Sequence, residues 1–149
     1  PGRGTSVRIY LPAMRGYARA YATETHDLRG TGTILVVDDE DMVLKTSQAV
    51  LSAYGYTVVA CNSGQKAVDF LSKPGSKVDM VITDLVMPQM SGRELVDRLG
   101  FLAPGVPVIC FSGYMVDETK NDGSYLQKPF TAQELLRKVR SVLNKHRSR

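Results

Sequence analysis

The sequence predicts an α/β fold: a doubly wound, five-stranded parallel sheet with helices on both of its faces. From residue 32 onward, short apolar segments rich in β-branched residues alternate with segments in which apolar residues recur at helical spacing. The apolar segments carry few polar residues, as in strands that helices cover on both sides. This alternation implies right-handed crossovers between parallel strands.

Five segments have the length and composition of strands, at residues 34–37, 57–61, 78–83, 106–111 and 125–127. The first helix is predicted over about residues 42–54, with Gly55 ending it, and it presents Val43, Ser47, Val50, Leu51 and Tyr54 at helical spacing. Asn62 or Ser63 caps the second helix, which buries Ala67, Phe70 and Leu71 and stops before Pro74.

Capping-box spacings mark two later helices. Ser91 and Glu94 begin a helix that buries Leu95 and Leu99 and that Gly100 closes, and Thr131 and Glu134 begin the last helix. That helix is expected to bury Leu135, Leu136, Val139, Val142 and Leu143. About eleven residues separate the fourth and fifth strands, fewer than a crossover usually needs, so the sequence predicts a shortened, mobile fourth helix over residues 113–123.

Charge is distributed unevenly along a chain whose net charge is +4. Basic residues dominate residues 1–31 and 137–149, whereas residues 32–136 hold eight basic and thirteen acidic residues, a net charge of −5. Basic residues at the end of the last helix interact favourably with the helix dipole. We therefore interpret them as a solvated helix end rather than as a nucleic-acid binding site. We therefore expect no direct contact with nucleic acid.

Several classes of protein are disfavoured by the sequence. No apolar stretch is long enough to cross a bilayer, and no secretory signal or zinc-ligand spacing is recognisable. Cys61 and Cys110 fall in apolar strand segments and are interpreted as buried thiols of a reducing compartment. The sequence predicts a cytoplasmic domain that makes no membrane contact of its own. Whether a longer parent protein is anchored in a membrane is left open.

Polar residues follow the ends of four predicted strands. Parallel strands would bring Asp38, Asp39, Asp84, Ser112 and Lys128 to one edge of the sheet, where α/β proteins bind ligands. Each has an ordinary structural alternative, such as a turn cap for Asp84 or a first-turn helix acid for Asp38 and Asp39, an interpretation that suits the neighbouring Glu40 best. Together they suit Mg²⁺, which prefers carboxylate oxygens, and phosphoryl transfer to a carboxylate.

The motifs at these positions resemble those of the response-regulator receiver domain of two-component signalling. They are Val-Val-Asp-Asp-Glu at 36–40, Asp-Leu-Val-Met-Pro-Gln-Met-Ser-Gly at 84–92, Phe-Ser-Gly at 111–113 and Lys-Pro-Phe at 128–130. The resemblance covers residues 32–147 and implies a flavodoxin-like strand order of 2-1-3-4-5. It implies a cis Lys128–Pro129 bond as well.

The resemblance also implies roles for individual residues. Asp84 would be the phosphoacceptor, and Ser112, Lys128 and Tyr125 would be the catalytic and switch residues. Mg²⁺ would be held by Asp38, Asp39, Asp84 and the backbone carbonyl of Val86. The phosphoryl donor would be the phosphohistidine of a histidine kinase domain or of a histidine phosphotransfer protein. The shortened segment before Tyr125 departs from the family pattern and puts the usual output surface in doubt.

Residues 1–12 resemble the last strand of a histidine-kinase ATP-binding domain, with Gly-x-Gly-Thr leading to Leu-Pro, and residues 13–31 have the composition of a linker. The chain is therefore similar to the C-terminal receiver of a hybrid histidine kinase, a self-phosphorylating acceptor without a complete kinase site. Two alternatives remain. One is a docking or regulatory module whose phosphorylation is incidental; the other is a haloacid-dehalogenase-type phosphatase, which Val86 disfavours because that class needs an acid there.

Overall fold

The computed structural model describes residues 28–113 and 124–148. Its strands are β1 (Thr33–Val37), β2 (Thr57–Cys61), β3 (Met80–Asp84), β4 (Val108–Ser112) and β5 (Tyr125–Gln127). Its helices are α1 (Asp41–Ala53), α2 (Gly64–Leu71), α3 (Gly92–Leu102) and α4 (Ala132–Arg147). The predicted shortened helix lies outside the described residues from position 114 to 123, as do the predicted kinase strand and most of the predicted linker.

All five strands are parallel and lie in the order β2-β1-β3-β4-β5, so the predicted fold class and strand order are confirmed. The order of the strands reverses next to β1, which pairs with both β2 and β3. In sheets of this kind a crevice opens at the carboxyl ends of the strands where the order reverses. The polar residues that follow β1 and β3 therefore lie at the place where such folds bind ligands.

The core consists of two apolar layers, one on each face of the sheet. Alternate residues of β1 point to opposite faces, so Ile34 and Val36 belong to one layer and Leu35 and Val37 to the other. The first layer is closed by α1 and α4, with Leu51 and Val139 among its members. The second layer is closed by α2 and α3. Both faces of the sheet are thus covered, as its apolar strands predict.

The helix starts agree with the caps that the sequence predicts. Ser63 caps α2, and full capping boxes begin α3 at Ser91 and Glu94 and α4 at Thr131 and Glu134. On α1 the buried stripe is formed by Leu44, Ser47 and Leu51, so Leu44 was missed in the prediction and Tyr54 was wrongly included. Val43, Val50, Phe70 and Val142 are partly buried at the margin of their layers.

Three predicted boundaries are wrong by two residues. Helix α3 continues past Gly100 to Leu102, because Pro104 rather than the glycine stops it by disfavouring helical geometry at the residue before it. Strand β4 begins at Val108 because Pro107 has no N–H for the ladder. Strand β3 begins at Met80 and extends to Asp84.

Neither cysteine forms a disulfide, and both side chains are buried, as predicted. Among the described residues, no helix combines the length and the apolar character that crossing a bilayer requires. The Lys128–Pro129 peptide bond is cis, in agreement with the prediction from the resemblance.

Candidate functional site

Four strand ends bring the candidate residues to one edge of the sheet. Asp38 directly follows β1, Asp84 is the last residue of β3, and Ser112 is the last residue of β4. Asp84 pairs with Phe111 across the sheet, and Ser112 pairs with Gln127, the residue before Lys128. The backbone N–H of Lys128 also donates a 2.8 Å hydrogen bond to the carbonyl of Ser112. The register of the parallel strands therefore assembles the site.

The three acids form a compact oxygen cluster. Carboxylate oxygens of Asp38, Asp39 and Asp84 all lie within 4.8 Å of one another. Asp38 is fully buried, Asp84 is nearly so, and Asp39 is exposed at the rim. The backbone N–H of Glu40 donates a 2.9 Å hydrogen bond to Asp38 Oδ1, which fixes the orientation of that carboxylate. Hard oxygen ligands at this spacing are a suitable donor set for Mg²⁺.

Lys128 bridges two of the acids. Its Nζ atom lies 3.0 Å from Asp38 Oδ2 and 2.9 Å from Asp84 Oδ2, and it donates a hydrogen bond to each. The same ammonium lies 5.7 Å from the centre of the Phe111 ring, which packs against Phe130 with 4.5 Å between ring centres. The Phe111 and Phe130 rings cover part of the lysine side chain, whose ammonium contacts the acid cluster.

The shared environment changes two pKa values. Burial raises the pKa of Asp38 above its usual value, and the hydrogen bonds from Glu40 and Lys128 offset only part of that effect. Burial by itself would lower the pKa of Lys128, but the hydrogen bonds to Asp84 and Asp38 outweigh it and the pKa is raised. The lysine therefore stays charged at neutral pH, while burial acts against the charged form of the Asp38 carboxylate.

The loop between β3 and α3 brings the start of α3 into close contact with the backbone of Asp84. Gly92 N donates a hydrogen bond to the carbonyl of Leu85, and a Cβ atom on Gly92 would overlap the backbone oxygen of Asp84. Gln89 has a φ of 67°, an unusual conformation for a residue with a side chain. The sequence analysis did not single out Gly92 as part of the site, although its place at the end of the motif at 84–92 was a usable signal.

The remaining predicted residues lie near the cluster with different degrees of contact. Val86 is 68% exposed on the loop, and its N–H lies 3.4 Å from Asp84 Oδ1. Tyr125 is half-buried at the start of β5, level with Cys110 and two residues before the strand ends. Glu40, interpreted from the sequence as a first-turn acid, is the N-cap residue of α1, and its carboxylate lies 4.0 Å from Lys128 Nζ.

A groove of about 470 Å³ opens beside the cluster, between the first turns of α1 and the segment that follows β5. Its apolar lining includes Met42 and Val43 on one side and Pro129 and Phe130 on the other. Met42 is 76% exposed, so its side chain is available to a partner that enters the groove. Lys128 also lines the groove, so the groove adjoins the residue that bonds Asp38 and Asp84.

Comparison with known proteins identifies the family of the chain. Residues 34–140 match the family described as "Response regulator receiver domain". The chain belongs to this family. It is a receiver domain of two-component systems, and such domains accept phosphoryl groups from histidine kinases. The match includes all four motifs of the cluster, because it extends from within β1 into α4.

The receiver domain is similar to parts of larger proteins. It is 32% identical to sensor kinase CckA of Brucella abortus over 160 aligned positions, which cover 97% of this chain and 17% of CckA. It is 33% identical to the 3',5'-cyclic-nucleotide phosphodiesterase regA of Dictyostelium discoideum, with 74% of this chain and 15% of regA covered. The chain thus spans less than a fifth of the length of these two curated relatives.

A solved structure of the receiver domain from the hybrid histidine kinase CckA superposes with a TM-score of 0.67 at 30% identity. The superposition covers 75% of this chain and 99% of the solved domain. The solved domain is therefore matched over nearly its whole length.

Proposed function

We propose that Asp84 is the phosphoacceptor and that it receives a phosphoryl group from a phosphohistidine. One observation carries this proposal: Asp38 and Asp84 both share the oxygen cluster and the ammonium of Lys128, and of these two Asp84 ends the central strand β3 and keeps some exposure, whereas Asp38 is fully buried. A carboxylate nucleophile requires positive charge beside the phosphoryl oxygens, since its own charge repels them. Lys128 provides such a charge at 2.9 Å.

In the proposed step, a carboxylate oxygen of Asp84 attacks phosphorus while the phosphorus–nitrogen bond of the phosphohistidine breaks. The electron pair of the broken bond stays on the imidazole nitrogen, and the product is an acyl phosphate on Asp84. Lys128 balances charge on a phosphoryl oxygen as a point charge, and Ser112 donates a hydrogen bond to another. Tyr125 is proposed as the switch aromatic that responds once Ser112 has moved.

The oxygen cluster fits a magnesium ion, and we propose Asp38, Asp39, Asp84 and the carbonyl of Val86 as its protein ligands. The bound ion would supply positive charge that offsets repulsion among the carboxylates and the phosphoryl group. Asp39 is the exposed member, and it lies where water can complete the coordination. Asp38 is held in position by the Glu40 N–H, so its carboxylate is oriented before any ligand arrives.

We propose that the donor is a helix carrying phosphohistidine, which lies along the groove beside α1. The apolar side chains of Met42 and Phe130 in the groove favour an amphipathic helix, and Lys128 lines the same groove. Such a helix would bring its imidazole close to Lys128 and the acids that it bonds. A histidine kinase domain or a histidine phosphotransfer protein supplies a donor of this chemistry.

We propose further that the parent protein is a hybrid histidine kinase, with residues 1–12 from its ATP-binding domain and residues 13–31 as the linker. The similarity to sensor kinase CckA supports this proposal, because the alignment covers 97% of the chain and so includes residues before the receiver domain. The parent would then be a transferase acting in the cytoplasm, and its receiver would relay or regulate the kinase signal.

The phosphoacceptor is tested by incubating the chain with a small acyl-phosphate donor and Mg²⁺ and then measuring its intact mass. We expect one added phosphoryl group in the wild type and none in Asp84→Asn. Asp69→Asn removes an exposed acid of α2 and serves as the matched control, with wild-type addition expected. Equal addition to wild type and Asp84→Asn would disprove the assignment.

A further inference from the structure

The turn between β2 and α2 lies beside the acid cluster, although none of its side chains belongs to that cluster. The turn comprises residues 61–64 and is called here the bracing turn. Cys61 ends β2 and is level with Val37 of β1, the residue before Asp38. Ser63 caps α2, and Gly64 is the first residue of that helix. The bracing turn therefore joins β2 to α2 at the carboxyl edge of the sheet.

One contact of the bracing turn reaches the backbone of Asp38. The N–H of Asp38 donates a hydrogen bond of 3.2 Å to the carbonyl of Cys61. The carboxylate of the same residue accepts a 2.9 Å hydrogen bond from the N–H of Glu40, the N-cap residue of α1. Asp38 is thus held at its backbone by the bracing turn and at its side chain by the start of α1.

A second contact reaches the loop that follows Asp84. Gly64 packs against Met90, and a Cβ atom at position 64 would lie 2.8 Å from the sulfur, 3.0 Å from Cγ and 3.1 Å from Cβ of Met90. Rotation about side-chain bonds can move the sulfur, but the Cβ atom of Met90 moves only with its main chain. A side chain at position 64 would therefore displace the loop itself.

Met90 is an anchor of this loop. Both Met87 and Met90 are buried in the apolar layer that α2 and α3 close. Gln89 lies between them with a φ of 67°, a strained conformation that persists only where the surrounding structure fixes it. The same loop carries Val86, whose carbonyl is a proposed ligand of Mg²⁺. The packing of Met90 against Gly64 thus helps to set where this loop lies relative to Asp38.

We propose that Gly64 is a positioning residue of the magnesium site. Its missing side chain lets Met90 hold the loop after Asp84 at the distance from Asp38 that the ion requires. Mg²⁺ demands nearly ideal octahedral geometry, so a small displacement of one ligand lowers the affinity. Groups that orient metal ligands typically change metal affinity 10- to 100-fold when they are substituted. This inference rests on the magnesium site of the proposed function.

The competing explanation is that Gly64 serves only the packing of α2. In that case a side chain at position 64 lowers the free energy of unfolding and leaves the affinity for Mg²⁺ unchanged in the folded protein. The positioning role predicts in addition a weaker affinity that depends on Met90. The dissociation constant for Mg²⁺ therefore separates the two explanations.

Titration calorimetry with Mg²⁺ on the full 149-residue chain tests the role in wild type, Gly64→Ala, Met90→Ala and the double variant. We expect Gly64→Ala to raise the dissociation constant about tenfold. Met90→Ala removes the sulfur and Cγ that the new methyl group would meet, so in that background Gly64→Ala should change the constant less than about twofold. Equal effects in the two backgrounds would overturn the proposal.

Met90→Ala by itself tests the same contact without introducing an overlap, so it decides the matter even if Gly64→Ala does not fold. Because the loop loses its anchor, we expect this variant to bind Mg²⁺ several-fold more weakly than wild type, within the range of about tenfold. A Met90→Ala variant with the wild-type dissociation constant would also overturn the proposal.

Two control variants separate positioning from stability. Gly100→Ala is the matched glycine change, since no heavy atom lies within 4 Å of the added Cβ. Leu71→Val trims a buried side chain at the far end of α2 in the same apolar layer and lowers stability without touching the loop. We expect both controls to keep the wild-type dissociation constant. A weaker affinity in Leu71→Val equal to that of Gly64→Ala would overturn the proposal.

Hydrogen exchange at the amide of Asp38 gives a second readout that needs no metal. This N–H donates to Cys61, so a shifted bracing turn should expose it, and we expect faster exchange in Gly64→Ala than in Gly100→Ala. If the wild type binds no Mg²⁺, the magnesium site fails and this inference fails with it. Wild-type binding that Gly64→Ala leaves unchanged would overturn this inference alone.

Discussion

Asp38 is a fully buried carboxylate that accepts hydrogen bonds from the backbone N–H of Glu40 and the ammonium of Lys128. The ammonium of Lys128 also donates a hydrogen bond to Asp84, so one positive charge lies beside two neighbouring carboxylates. Its side chain is 21% exposed, so solvent screens the interaction only in part. Loss of the ammonium would leave two close carboxylates without their shared donor, one of them fully buried.

We therefore expect Lys128→Met to lower the free energy of unfolding at pH 7 by about 2 to 3 kcal/mol, because a charged group is left without its donor. Urea unfolding measures this change. Lys45→Met, at an exposed position on α1, is the matched control and is expected to stay within about 0.5 kcal/mol of wild type. Equal stability of the two variants would show that the bridge contributes nothing to folding.

The pH dependence of the stability of Lys128→Met follows from the raised pKa of Asp38. A raised folded-state pKa means that the native state binds the proton more tightly, so stability falls as pH rises from 3.8 through the folded value. Lys128 lowers the pKa of Asp38 through its hydrogen bond and its charge, so the pKa of Asp38 rises further when Lys128 is removed. The loss in Lys128→Met should thus be largest at neutral pH and shrink toward pH 4, and a constant loss would contradict this origin.

At the scale of secondary structure elements, the loop from β3 to α3 holds Asp84 by close backbone packing. Gly92 opens α3 against the backbone of Asp84, and the capping box of Ser91 and Glu94 satisfies the first N–H groups of the helix. Gly100 lies in the same helix with no heavy atom within 4 Å of the position a Cβ would take. Within one helix, therefore, Gly92 has no room for a side chain, whereas Gly100 has room for one.

Gly92→Ala is expected to destabilise the domain and to slow phosphoryl addition, since the backbone of Asp84 must shift to admit the methyl group. Gly100→Ala is the matched control and should stabilise by about 0.5 to 1 kcal/mol, because alanine is the better residue in a helix interior. Thermal unfolding and intact-mass phosphorylation measure both effects. A Gly92→Ala variant as stable and as reactive as wild type would refute the close packing.

At the scale of the whole molecule, the sheet separates two edges, and the acid cluster lies at only one of them. The carboxyl ends of the strands carry Asp38, Asp39 and Asp84, and at the amino end of β1 the carbonyl of Thr31 accepts from Arg147 of α4 while the N–H of Thr33 donates to Asp79. The apolar layers on both faces tie these edges into one folding unit. A ligand that binds the native cluster alone therefore stabilises the entire domain by mass action.

Mg²⁺ at ten times its dissociation constant should raise the free energy of unfolding by about 1.4 kcal/mol, and a chelator should reverse the gain. Asp39→Asn removes the exposed ligand and is expected to weaken the effect without disturbing the buried pair of Asp38 and Lys128. Calorimetric unfolding with and without the ion measures it. If Mg²⁺ left the unfolding temperature of the wild type unchanged, that result would argue against the magnesium site.

The sequence by itself determined the alternation of strands and helices, the capped starts of α2, α3 and α4, and the strand-end motifs with their acids. These features are local or periodic, so each can be recognised within a few residues of chain. Only the tertiary structure decided that one ammonium, 90 residues from Asp38 and 44 from Asp84, bridges both carboxylates. It also decided that Gly92 packs on Asp84, that Gly30 N bonds the carbonyl of Tyr54 and that Arg147 bonds the carbonyl of Thr31. Such contacts depend on strand register and helix packing, which bring together residues whose separation in sequence carries no signal of their distance in space.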